Sequence, residues 1–264
     1  MPAPAPVAAG RRAPALAAAA ALALSGCFAS QDTPLTNVVV YWQFQRATFV
    51  DGVAGAVAYD VDPQHPAVPD GRCPQSGVDR VQVRDGAGTV LVPSVPCVNA
   101  GAQGVALLGE PAGPRTLVVL AFRDGVPDPL YAGQAVVDIL PGPAIPVDVV
   151  ARGVPDALAV RLALGSPPAA TCGAADVQRL EATLRDGAGT LVWRNAVACA
   201  PGDTPAIELG AVDRDAYLGW FSAVRTSAPP PGDVAASACA VPVDHFAPQT
   251  LDVPLAPGPC APAP

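Results

Sequence analysis

The chain has 264 residues, with 23 acids against 15 Arg and no Lys, for a net charge of −8. An acidic chain without clustered cations is unsuited to the electrostatic mode of nucleic-acid binding, so no nucleic-acid partner is expected. The 33 Pro and 25 Gly punctuate it throughout, and with abundant Val and few long amphipathic runs they favour an all-β fold.

The first 26 residues have the three zones of a secretory signal. Arg11-Arg12 supply positive charge, Ala15–Leu24 is a short Ala/Leu run, and Ser25-Gly26 offer small side chains to a peptidase. The run is too short to span a bilayer, which needs about 20 apolar residues. Leu24-Ser25-Gly26-Cys27 resembles the cleavage site of bacterial lipoproteins. The resemblance implies that the Cys27 thiol receives diacylglycerol, that the signal at 1–26 is cut away, and that the new amine is acylated with a chain such as palmitate. Two or more acyl chains anchor a protein stably to a membrane. In that family Asp after the Cys tends to retain the protein at the inner membrane, so Phe28 favours the outer membrane. Residues 27–36 would form the lipidated tether. Without Arg11 and Arg12, 13 Arg face 23 acids, a net charge of −10.

From Val38 onward the chain reads as strands. Val38, Val40, Trp42 and Phe44 alternate with other residues, as expected for a strand with one buried face. Arg46 to Gly71, rich in Pro, Asp and Gly, reads as a long loop or an added hairpin around Phe49–Tyr59. Val81 and Val83 then alternate with Arg80, Gln82 and Arg84. Asp85-Gly86 is expected to turn the chain, with Gly tolerating positive φ, into a return strand at Val90 and Val92. Leu117–Phe122 is a nearly continuous apolar strand, and Val136–Leu140 with Ile145–Val150 reads as a late hairpin.

The pattern then repeats. Leu158, Val160, Leu162 and Leu164 correspond to the opening strand. Arg84-Asp85-Gly86-Ala87-Gly88-Thr89 returns as Arg185-Asp186-Gly187-Ala188-Gly189-Thr190. Leu108-Gly109 matches Leu209-Gly210, and Val147-Asp148-Val149 matches Leu251-Asp252-Val253. Tyr217–Val224 repeats the apolar strand, and Ala240–Val243 with Thr250–Leu255 the late hairpin. Two units follow, 37–153 and 154–264, joined by Gly153-Val154-Pro155; Pro155 restricts both itself and Val154. Six or seven short strands per unit resemble an immunoglobulin-like or transthyretin-like β-sandwich. The expected fold is therefore two tandem sandwiches that abut.

There are seven Cys. Acylation of Cys27, implied by the lipoprotein resemblance, leaves six in an oxidising compartment, where disulfides are the default. Equivalent positions should pair equivalently, giving Cys73–Cys97 and Cys172–Cys199 and leaving Cys239–Cys260. No C-x-x-C pair is present, so we expect no metal site.

Candidates for catalysis are sparse. His65 lies in the Pro-rich insertion, and His245 follows Asp244 at a strand end. Neither accompanies a G-x-S-x-G elbow, and both read as exposed loop residues. Asp60-x-Asp62 and Asp213-x-Asp215 lack the spacing of an EF-hand and read as solvated turn acids. No phosphate loop or dinucleotide fingerprint occurs, so no cofactor is expected. Tyr217, Trp220 and Phe221 read as core, the alternative being an aromatic face that stacks on a sugar or a protein. The leading expectation is a non-enzymatic lipoprotein of the cell envelope, structural or partner-binding, held at the membrane by Cys27. The alternatives are a carbohydrate-binding surface lipoprotein and, more weakly, an exported hydrolase.

Overall fold

A computed structural model describes residues 35–59, 72–99, 103–165, 167–225 and 233–260. Cys27, Asp60, Asp62 and His65 lie outside these residues. Among the described residues the fold is all-β apart from a five-residue helix, and these residues belong to one compact unit.

The first half contains β1 (Leu35–Val50), β2 (Val53–Ala58), the helix α1 (Arg72–Ser76), β3 (Arg80–Asp85), β4 (Val90–Pro96), β5 (Gly104–Pro111), β6 (Gly113–Phe122), β7 (Tyr131–Ile139) and β8 (Ile145–Gly153). The second contains β9 (Pro155–Leu164), β10 (Arg179–Arg185), β11 (Leu191–Ala198), β12 (Ala206–Asp213), β13 (Asp215–Val224), β14 (Val234–His245) and β15 (Gln249–Pro257). In the first half β5-β1-β8 faces β4-β3-β6-β7; in the second β12-β9-β15 faces β11-β10-β13-β14. Period-two alternation fills the space between. Val38, Val40, Trp42 and Phe44 of β1 are fully buried, and Leu158, Val160 and Leu162 of β9 are nearly so. Each half has its own apolar cluster.

The repeat extends to the ladders. Val40 pairs with Val147 and Trp42 with Val149; Val160 pairs with Leu251 and Leu162 with Val253. Both pairings are parallel, which corrects the late hairpins. β7 and β8 share only the pairs Tyr131–Gly153 and Ala132–Arg152, and β14 and β15 only Ala236–Pro257 and Ser237–Ala256. Each second strand leaves its hairpin and crosses to the opposite sheet, where it buries its apolar face beside β1 or β9.

The repeated turn also differs from expectation. The positive φ falls on Gly88 (90°) and Gly189 (82°), not on Gly86 or Gly187. Gly88 N–H donates to Asp85 O and Asp85 N–H to Thr89 O; Gly189 and Asp186 repeat this with Asp186 O and Thr190 O. The Asp85 carboxylate accepts from Ala87 and Thr89 N–H, and Asp186 accepts from Ala188 and Thr190 N–H. Asp therefore organises the loop and the later Gly closes it.

The disulfides are Cys73–Cys97, Cys172–Cys199 and Cys239–Cys260. The first two occupy equivalent places: Val78 N–H donates to Cys73 O and Cys97 N–H to Asp79 O, as Val177 does to Cys172 O and Cys199 to Gln178 O. α1, a single turn absent from the strand reading, carries Cys73, and Ser76 Oγ donates to Cys73 O at 2.9 Å.

The insertion after β1 is a hairpin as far as Tyr59. β2 pairs antiparallel with β1 across Asp51-Gly52, both at positive φ. β1 is thus 16 residues long and serves both halves. Its beginning pairs with β5 and β8; its end pairs with β11, Phe49 with Trp193 and Val50 with Arg194. Only Val154 separates β8 from β9. Its N–H donates to Leu130 O and its carbonyl accepts from Arg214 N–H, so the connection is hydrogen-bonded on both sides.

Candidate functional site

The alternation of β1 does not stop at Phe44. Arg46 takes the next inward position and is fully buried between the two cores. A buried cation is tolerated only when paired and hydrogen-bonded. One Arg46 Nη is 2.5 Å from Asp215 Oδ2 and donates to Tyr131 Oη at 2.5 Å; the other lies 3.7 Å from Asp186 Oδ2. The guanidinium carbon stands 5.1 Å from the ring centre of Tyr59, 5.7 Å from Tyr131 and 5.5 Å from Tyr217. Tyr59 and Tyr131 come from the first half, Tyr217, Asp186 and Asp215 from the second. Three aromatic faces and two carboxylates thus enclose one charge, and cation–π attraction is strongest when desolvated in this way.

The ring of partners is itself held. Tyr59 Oη donates to Asp186, Tyr131 Oη to Ser76 O at 3.1 Å, and Tyr217 Oη to Asp213 O. Asp213 accepts from Ala47 N–H at 2.7 Å, so this acid also bridges the halves. It lies so close to Gly153 that a Cβ there would fall 2.0 Å from Asp213 Oδ2; no larger residue fits without displacing it. Arg214 Nε donates to Asp156 at 2.6 Å, and Arg194 pairs with Asp51 at the outer end of the seam. Clefts of about 510 Å³, beside Ala47 and Ala56, and about 320 Å³, between Gly77 and Arg123, flank the network.

These positions correct several expectations. Asp213 and Asp215 are buried, not solvated turn acids, because the turn that carries them packs against β1. His245 is buried, not an exposed loop residue. Its Nε2 lies 3.2 Å from Asp156 O and 3.1 Å from Val212 O; two carbonyl acceptors require the proton on Nε2. Tyr217 and Phe221 are core, whereas Trp220 is only half-buried and faces outward. Sequence reasoning missed Arg46 and Asp186. Extending the period-two pattern by one step would have found Arg46. Asp186 carried no signal, since its counterpart Asp85 in the same hexapeptide is only partly buried.

Burial sets the electrostatics. Desolvation opposes charge on Arg46, yet the surrounding tyrosines and Asp215 more than offset it and keep the guanidinium protonated. Burial raises the phenols of Tyr59, Tyr131 and Tyr217, so all three remain neutral donors. It also raises the Asp213 and Asp215 carboxyls above their ordinary value of 3.8, against the pull of Arg46 and the backbone donors. The arrangement is a buried network of one cation, its carboxylates and neutral phenol donors. Among the described residues no group of three or more His, Cys, Asp or Glu is placed to hold a metal, and no helix is long and apolar enough to cross a membrane.

A pH dependence follows. A carboxyl whose folded pKa exceeds its unfolded value contributes fully below about pH 4, and that contribution is lost as pH rises through the folded pKa. Acidification from neutral pH towards the ordinary carboxyl value of 3.8 should therefore strengthen the contribution of Asp213 and Asp215. Asp51 and Asp85, held low by Arg194 and by the Thr89 backbone, act with the opposite sign, but only near and below their ordinary value of 3.8. Thermal melts of the wild type should show a gain in midpoint on acidification that Asp213→Asn reduces and Asp213→Asn with Asp215→Asn removes. Identical pH profiles for the wild type and the double variant would contradict this assignment.

No protein-family model matches the sequence, and no curated protein matches it. Among solved structures, the fold is similar to the Bacillus anthracis TIE protein, with a TM-score of 0.37, 9% identity and coverage of 84% of this chain and 33% of that one. It is similar to a Streptococcal ancillary pilin, with a TM-score of 0.30, 12% identity and coverage of 87% and 64%. It is also similar to the fimbrial anchor protein of Porphyromonas gingivalis, with a TM-score of 0.31, 11% identity and coverage of 78% and 82%. The chain spans a third of the length of the first of these and under two thirds of the second. These scores describe likeness only; they assign this chain no ligand, partner or activity.

Proposed function

We propose that the chain is a non-enzymatic lipoprotein of the cell envelope, anchored through an acylated Cys27. In this reading its two β-sandwiches, 37–153 and 154–264, act as one rigid body that presents a binding surface to a protein or carbohydrate partner. The observation that supports it is the seam: Arg46 is buried by residues of both halves, and Val154 alone connects β8 to β9. A flexible linker would leave the halves to reorient, and ordering them would weaken any contact spanning both. Here the ordering is complete before a partner arrives. Tyrosines held neutral and a guanidinium held charged suit such a brace and provide no activated nucleophile.

The anchor is tested separately. Wild-type protein expressed with a labelled fatty acid should take up the label and fractionate with membranes. Cys27→Ser should be unlabelled and either uncut or soluble. Label and membrane fractionation that persist in Cys27→Ser would remove the lipoprotein reading.

A further inference from the structure

We propose that the outward face of β10, β11 and β13 around Trp220 is a binding site for a neutral oligosaccharide; the assignment rests on the partner-presenting role above and names the partner's chemistry. Thr183 of β10 pairs with Arg194 of β11 on one side and Trp220 of β13 on the other. Leu180, Ala182 and Leu184 of β10 are buried, so Glu181 and Thr183 face outward with Trp220. Adjacent strands lie about 4.8 Å apart, so the row from Trp220 to Arg194 spans roughly 10 Å, the length of about two sugar rings.

The row is amphipathic. At one end stands the half-buried indole, with Leu218 two residues along the strand 41% exposed. At the other lies a cleft of about 400 Å³ lined by Asp51, Glu181, Thr183 and Arg194. Its charges are paired. Arg194 Nε donates to Asp51 at 2.9 Å, and an Arg179 Nη lies 2.8 Å from Glu181. The cleft therefore offers donors and acceptors without net charge, which suits a neutral polyhydroxylated ligand better than an ion, and Arg185, the next outward residue of β10 and paired with Leu218, adds hydroxyl donors at the indole end. A pyranose has an apolar C–H face to stack on the indole and a hydroxyl rim to meet the paired side chains.

The strand facing Trp220 is irregular. Gly219 pairs with Val241 and Phe221 with Ala238, so Trp220 stands opposite two residues, Cys239 and Ala240. Ala240 adopts φ 52°, the left-handed region that an alanine enters only under constraint. A bulge of this kind bends its strand and increases the local twist, and the Cys239–Cys260 bridge starts within it.

The test is titration of the full chain with neutral hexasaccharides of glucose, mannose, xylose and N-acetylglucosamine, followed by tryptophan fluorescence and calorimetry. At least one should bind with a Kd on the order of millimolar or tighter. Trp220→Ala, with unchanged circular dichroism, should weaken it roughly tenfold or more, while Trp220→Phe retains most of the affinity. No binding by any of the four at about 10 mM, or binding that Trp220→Ala leaves intact, would overturn the proposal. Neither result alters membrane fractionation or the unfolding behaviour of the seam, so the envelope reading would stand or fall on its own experiments.

Discussion

Arg46→Ala should destabilise the protein by about 3–5 kcal/mol, measured by urea unfolding at neutral pH. The cost arises from what is left behind. Asp215 loses its 2.5 Å partner while it stays buried, keeping only Arg123 at 3.7 Å, and Asp186 loses its cationic neighbour. Tyr131 loses a donor to its hydroxyl, and three rings lose the charge they enclose. A compensated variant distinguishes this account from simple loss of volume. Arg46→Met combined with Asp186→Asn and Asp215→Asn removes the cation and its two paired carboxylates together, and should recover most of the loss, because a buried ion network is often matched by neutral groups of similar size. If Arg46→Ala is nearly neutral, or the compensated variant is worse than the single one, the guanidinium is not the brace described here.

Trp42→Ala should cost a similar amount, about 3–5 kcal/mol, by a different mechanism. Trp42 is fully buried at the centre of the first core. Its Nε1–H donates to Cys97 O at 3.1 Å, tying β1 to the strand end that carries the first disulfide. Truncation leaves a cavity that the bridged strands cannot collapse to fill, and it orphans a carbonyl. Val53, 68% exposed on β2, provides the contrast: Val53→Ala should stay within about 0.5 kcal/mol. Equal effects at the two positions would contradict the assigned core.

Much of the fold was legible because it depends on local period. Val38 to Phe44 and Leu158 to Leu164 alternate strictly, and each buries the expected face. The hexapeptide repeat and its flanking Cys carried enough information to pair equivalent positions. The crossover of β8 and β15 was not legible, because parallel partners lie about a hundred residues away and a short loop favours the hairpin. The site was hidden for a related reason. Asp213, Asp215 and His245 have the local appearance of solvated polar residues; the two acids are buried against β1 of the first half, and His245 against Asp156 and Val212 of its own half. Arg46 was disguised by its charge, although it keeps the register of Trp42 and Phe44. Asp186 shows the limit most clearly, since identical neighbours surround Asp85, yet only one copy meets a buried guanidinium.

Differential scanning calorimetry of the chain tests most directly whether the seam joins the halves into one body. A single transition, with calorimetric and van't Hoff enthalpies equal, is expected for the wild type, and Arg46→Ala should lower its midpoint. Two separate transitions in the wild type, unchanged by Arg46→Ala, would contradict the account.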